Sequence, residues 1–327
     1  MIRTSHVGSF PLPHSWENVA SVLRDLSRIG IDAPPYPQLR VFTEILLDPL
    51  VEEGILAKKK GFYFLLDRNR LRDLEHLEPR VPEAEYAVDC IRRGGYRFEW
   101  LRGPVAGPFT LASRIYMSEN ASLGLVNTLI KDRKSVEALA GYVRKNLEYL
   151  FSIGYNLLFL DEPILSIIVG KKRILFGYSS SYISEIINHI LTNIPGEHGI
   201  HVCGSLPELL YQILLSTEEL NILNFEFHDS PKNRELLDPD QLATYSKKIA
   251  PGIASSKKPV LESVEELENL LVEIGKKTSW NIDLVSADCG FGGLRVSGAG
   301  PYQAYEVSLE KLSRIKQAVE RVVKGFF

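Results

Sequence analysis

Two hydrophobic patterns alternate along the 327 residues of this chain. Runs of five to eight mostly apolar residues fall at 4–10, 62–67, 98–105, 156–161, 199–203, 220–227, 248–254 and 284–289. They read as buried strands. Between them, apolar residues recur every three or four positions over 15–29, 38–59, 82–93, 109–116, 134–152, 178–193, 207–215, 264–277 and 302–324, the spacing of helices with one buried face. Eight strand-like runs, each followed by helix, predict an α/β fold of the closed (β/α)8, or TIM barrel, kind, in one domain spanning residues 1–327. No Gly-rich dinucleotide fingerprint follows the first run, which argues against a doubly wound sheet. The stretch CGFGGLRVSGAGP at 289–301 lacks the Lys-Ser/Thr of a phosphate loop and reads as a turn.

Charge and composition narrow the partners. A net charge of −3 and scattered basic clusters, such as Lys58-Lys59-Lys60 and Lys257-Lys258, argue against a nucleic-acid partner. No apolar run approaches the roughly 18 residues of a membrane span. The opening MIRTSHVGSFPLP lacks the long apolar region of a signal peptide. Three cysteines far apart in sequence form no disulfide framework, and a reducing cytoplasm is the expected compartment.

In barrels of this kind chemistry gathers where strands end. The expected strand ends carry Gly8-Ser9, Asp161-Glu162-Pro163, His201 with Cys203, Glu226 with His228, and Asp288-Cys289-Gly290. Alternation along a strand points His201 and Cys203 to one side, and Asn224, Glu226 and His228 to another common side. A carboxylate within an aromatic strand is costly to bury without a cation. His201, Cys203, Glu226 and Cys289 thus offer an imidazole, two thiolates and a carboxylate on neighbouring strands, a usable tetrahedral Zn²⁺ set. Cys90 falls inside a helical pattern and reads as a small buried hydrophobe.

The series VGSFP (7–11), GPFTL (107–111), LDEP (160–163), HVCG (201–204), Glu226 and DCG (288–290) resembles the catalytic barrel of cobalamin-independent methionine synthase in order and spacing. GPFTL and DEP are also met in uroporphyrinogen decarboxylase-like barrels. The resemblance implies His201, Cys203, Glu226 and Cys289 as zinc ligands, and a methyl transfer to the thiol of homocysteine that forms methionine. It implies that Ser9, with the backbone around Val7 and Gly8, holds the substrate carboxylate, and that Asp161 pairs with its ammonium.

The same resemblance exposes departures. Full-length members carry two barrels, and this chain has room for one. Arg114 stands where a folate-stacking aromatic is expected, the acidic residue after strand two has no counterpart in LLDRNRLRD, and Lys257 is the residue nearest the histidine of strand seven. The expected donor is therefore methylcobalamin or a corrinoid protein, ahead of a methyl-folate, as in single-barrel synthases of archaeal type. Three rival readings are methylation of another thiol, a non-catalytic zinc subunit needing a separate amino-terminal partner, and tetrapyrrole decarboxylation. The last gives the His-x-Cys and Cys289 set no purpose.

Overall fold

Five strands of the computed structural model, which describes residues 2–326, form one parallel sheet in chain order: Arg102–Ala106, Leu157–Asp161, Glu197–Val202, Ile222–Glu226 and Lys248–Gly252. Only Glu197 and Lys248, at strand starts, escape full burial, which is why these strands read as apolar runs without alternation. Three further segments close the ring through isolated parallel bridges. Ile249–Ile282 and Gly252–Ser286 attach the eighth segment, Val285–Thr4 ties it to the first, Ser5–Ala33 ties the first to the second, and Pro35–Arg102 completes the circuit. The barrel is closed by eight parallel segments.

The second of these is not the run at 62–67. It is the segment 33–38, whose Pro34, Pro35 and Pro37 have no N–H to give a ladder. It is held by single bonds: Ala33 N–H to Thr4 O (3.0 Å), Gln38 N–H to Gly8 O (3.0 Å), and Arg102 N–H to Pro34 O (3.0 Å). Phe62–Leu65 instead pairs antiparallel with Leu56–Lys59, in a side hairpin turned by Lys60 and Gly61 at φ 51° and 80°. The helix expected over 38–59 is correspondingly shorter, Glu44–Glu52.

The outer helices follow the apolar periodicity closely. Trp16–Ile29 is capped by the Ser15 side chain and stopped by Gly30 at φ 80°, and Val264–Lys277 begins with a reciprocal Ser263–Glu266 capping box. Inside the barrel, Ala33, Leu157, Phe159, Ile222, Ala250 and Leu284 form a separate apolar plug. Leu157, Phe159 and Asp161 share one strand face, as do Ile222, Asn224 and Glu226, so the plug is the floor beneath the strand-end residues. Among the described residues, no helix is long and apolar enough to cross a membrane.

Glu162 fastens the third βα turn to the fourth strand. Its buried carboxylate accepts from Phe109 N–H (2.9 Å), Thr110 N–H (2.8 Å) and Thr110 Oγ1 (2.6 Å), at the start of the helix Pro108–Arg114. Burial, opposed by those bonds, lifts this carboxyl to about 8. A Cβ on Gly107 would lie 2.2 Å from Glu162 Oε1, so the GPFTL glycine is required by close approach. Gly107→Ala is expected to lower unfolding stability by about 2 kcal/mol or more in urea titrations, since a packed interior does not absorb such a contact. A variant as stable as the parent would refute this account of the motif.

Candidate metal centre and active site

The fifth strand, Glu197–Val202, turns the His201 ring inward, and Cys203 follows at its exit. His201 Nδ1 lies 3.0 Å from Asn224 Oδ1 on the neighbouring strand. That amide is fixed at both ends: Nδ2 donates to Ala250 O at 2.7 Å, and Oδ1 also accepts from Arg102 Nη2 at 3.1 Å. The oxygen therefore faces the ring, so Nδ1 carries a proton and Nε2 is turned to the sulfurs. Nε2 sits 2.9 Å from Cys203 Sγ and 3.4 Å from Cys289 Sγ, and the two sulfurs are 3.0 Å apart. They are free thiols, well beyond the roughly 2.05 Å of a disulfide.

These three ligand atoms lie within 4.8 Å of one another and can hold a metal ion. The donor chemistry fits zinc, with one imidazole nitrogen and two sulfurs. Two sulfurs bonded to one tetrahedral ion stand about 3.8 Å apart, so the pair has to open by less than about 1 Å. Electrostatics prepare it. The Cys203 hydrogen bond, with the nearby His201, holds the Cys289 thiol well below its usual range despite burial, while the same bond and burial push Cys203 up. The bond between the two sulfurs thus favours loss of the proton from Cys289 over Cys203. Burial is the strongest single influence on His201 and would lower it, but the charge and hydrogen bond of Cys289 together with the Asp161 charge raise the ring on balance.

Glu226 ends its strand facing inward and is 1% exposed. Its carboxylate stands outside the 4.8 Å group and is engaged by Lys257 and Ser230. The structure thus brings together three of the four expected ligands and leaves the fourth nearby.

Asp161 pairs in register with His201 and is buried to 4% exposure. Its Oδ1 has no hydrogen-bond partner. Burial pushes this carboxyl up to about 6, against the pull of His201 and Arg102. An acceptor left unsatisfied in a buried site beside a cysteine cluster has room for one further hydrogen-bond donor.

Residues 7–9 lie against the turn after Cys289. Ser9 Oγ accepts from Gly292 N–H at 3.1 Å, Ser9 O accepts from Phe291 N–H at 2.7 Å, and Val7 is buried. A Cβ on Gly290 would fall 2.1 Å from Ser9 Oγ, which accounts for the glycine after Asp288-Cys289. A cleft of about 520 Å³ opens beside Ser9, lined among others by Phe10, Gln38, Phe42 and Arg295.

Gln38, His6 and Arg102 escaped the sequence reading, whereas His228 and Asp288 were named in it. Gln38 is buried beside Gly8 and Ser9, hidden by the proline-rich second strand. His6 is fully buried, kept neutral with its pKa near 4 mainly by burial, and bonds Ser9 O through Nε2 at 2.9 Å. Arg102 lies 3.9 Å over the Phe159 ring beneath the site. His228 stays out of the cysteine cluster, facing Asp229 (3.1 Å) and Glu262 (3.6 Å). Asp288 clamps the neighbouring loop, accepting from the N–H groups of Phe227, His228 and Asp229 at 3.0, 3.0 and 2.7 Å.

Fold and site together define a TIM-barrel enzyme with a Cys/Cys/His cluster at the strand ends. The family model described as "Cobalamin-independent synthase, Catalytic domain" matches residues 102–300, and the chain belongs to that family, a family of methyltransferases. It is 24% identical to "Methionine synthase" of Methanocaldococcus jannaschii, over 98% of this chain and 99% of that protein. It is 21% identical to "5-methyltetrahydropteroyltriglutamate--homocysteine methyltransferase" of Acidithiobacillus ferrooxidans, over 83% of this chain but 34% of that protein. Among solved structures, a B12-independent methionine synthase from Shewanella sp. W3-18-1 superposes with a TM-score of 0.67 at 14% identity, covering 100% of both chains.

Proposed function

We propose that this protein, acting as one catalytic barrel, transfers a methyl group to the sulfur of homocysteine at a zinc ion held by His201, Cys203 and Cys289, with Glu226 as the fourth candidate ligand. The convergence of the three ligand atoms within 4.8 Å, from strands five and eight, carries this reading. A free thiol near pKa 8.5 is only ~3% ionised at pH 7, so zinc, which deprotonates a bound thiol, supplies up to about thirtyfold, or roughly 2 kcal/mol. Positioning by the protein must supply much of the rest. Asp161 Oδ1 is the seat for the substrate ammonium, and Ser9 with the backbone at Val7 and Gly8 the seat for its carboxylate. An amino acid gripped at both charges can present its sulfur in one direction only.

The donor has support on two sides. Arg114 and Lys257, standing in for an aromatic and a histidine, favour a methylated corrinoid. The family description and the name of the Acidithiobacillus relative favour a methyl-folate. The deciding experiment measures metal content of the purified chain and then methionine formation from homocysteine with methylcobalamin and methyl-folate in parallel. About one zinc per chain and turnover with one donor are expected. A chain that binds no zinc, or methylates equally well after chelation, ends the metal reading. Turnover without any added protein also disposes of a required amino-terminal partner.

A further inference from the structure

Glu226 is a buried carboxylate that needs a cation, and it has found one. Lys257 Nζ lies 3.4 Å from its Oε1 and 3.3 Å from its Oε2, and Ser230 Oγ donates to Oε2 at 3.3 Å. The lysine comes from the loop after the seventh strand, and that loop is pinned to the Glu226 side of the barrel. Ser255 Oγ donates to Asp229 Oδ2 (2.6 Å) and accepts from the N–H groups of Lys257 (3.3 Å) and Lys258 (3.1 Å). Lys258 Nζ adds a bond to Asp229 Oδ1 at 3.1 Å. The base of Lys257 is thus held in place, while 63% of its side chain stays exposed.

We propose that Lys257 and Ser230 form a seat for the Glu226 carboxylate apart from the Cys/His cluster, so that Lys257 governs whether the cluster presents three protein ligands with an open side or four. The inference rests on the metal reading above. Lys257 and a metal ion compete for one anion. Catalytic zinc sites keep a position free for substrate, and structural ones are closed by four protein ligands. A lysine that draws the carboxylate away favours the open arrangement and leaves that side to the substrate's sulfur. Lys257 is then a positioning residue, acting through Glu226.

The test uses the full chain, with zinc affinity measured by chelator competition and the KM for homocysteine measured beside it. Lys257→Met is expected to bind zinc about three- to fivefold more tightly, the scale of one exposed ion pair, and to raise the KM by a similar factor. These opposite signs separate the proposal from simple damage to the site, which weakens both. Lys257→Arg should behave as the parent. In a Glu226→Gln background, Lys257→Met should change neither quantity. The proposal is overturned if Lys257→Met leaves both quantities unchanged, if it weakens both, or if the zinc effect persists unchanged in Glu226→Gln, where it would be plain charge. A parent chain that takes up no zinc overturns the metal reading and this proposal with it; a parent that binds zinc normally while the variants do not differ overturns this proposal alone.

Discussion

Cys289→Ala is expected to abolish both zinc retention and methyl transfer, with the rate falling by about a thousandfold or more, roughly 4 kcal/mol of transition-state stabilisation. The expectation follows from the place of this sulfur in the cluster. Cys289 is the thiol of the pair that is lowered, by the Cys203 bond and the His201 charge, and it is 3.4 Å from the imidazole nitrogen that Asn224 turns toward it. Its removal leaves one nitrogen and one thiol, and that thiol is itself pushed up. Fold stability should change little, because Cys289 is only partly buried and no strand bond depends on its side chain. Metal analysis after dialysis, methyl-transfer rates and thermal unfolding check the three parts separately. Retention of stoichiometric zinc with more than a tenth of the activity would remove this sulfur from the centre.

Asp161→Asn produces the second large effect, and it moves function and stability in opposite directions. With homocysteine the loss in kcat/KM is expected to be about a hundredfold, the worth of a charge-assisted hydrogen bond in a dry site. A simple alkyl thiol, with no ammonium, should lose far less. Equal losses with both thiols would refute the ammonium role. Stability follows from the raised carboxyl. Its folded value of about 6 stands above the ordinary 3.8. The folded state therefore holds this proton more tightly, and the group contributes stability that is present below about pH 4 and lost as pH rises through about 6. Above that, an ionised and incompletely bonded Asp161 costs on the order of 3 kcal/mol. In metal-free protein, Asp161→Asn should accordingly be more stable than the parent at pH 7 to 8, with the advantage shrinking toward pH 4. Urea titrations at several pH values read this directly, and a variant less stable than the parent at pH 8 would contradict it.

The fold was legible in the sequence wherever a strand was long, apolar and fully paired. Strands three to seven, and the helices over 133–152 and 264–277, fall where the periodicity puts them. The failure at strand two has a physical cause. Burial patterns are read from side chains, but Pro34, Pro35 and Pro37 make the segment look like a loop, while the apolar hairpin at 56–65 imitates a strand of the barrel. That misplacement also hid Gln38, the residue at the true strand end beside Ser9. The Cys/Cys/His group was legible because two thiols and an imidazole at strand ends are chemically unusual, whereas the carboxylate expected with them, Glu226, is engaged by Lys257 instead. Arg102, His6 and Asn224 were not assigned roles, since they act through partners that only the closed barrel brings near.

The proline-rich second strand has a consequence for how the ring is assembled. A stave that lends few protons to its neighbours cannot be drawn into place by a zipper of bonds. The pyrrolidine rings have already restricted its backbone before folding begins, so little freedom remains to be surrendered when it docks. The hoop is therefore completed at this point by a piece whose backbone freedom was already reduced, which offsets part of what its missing ladder bonds would have contributed.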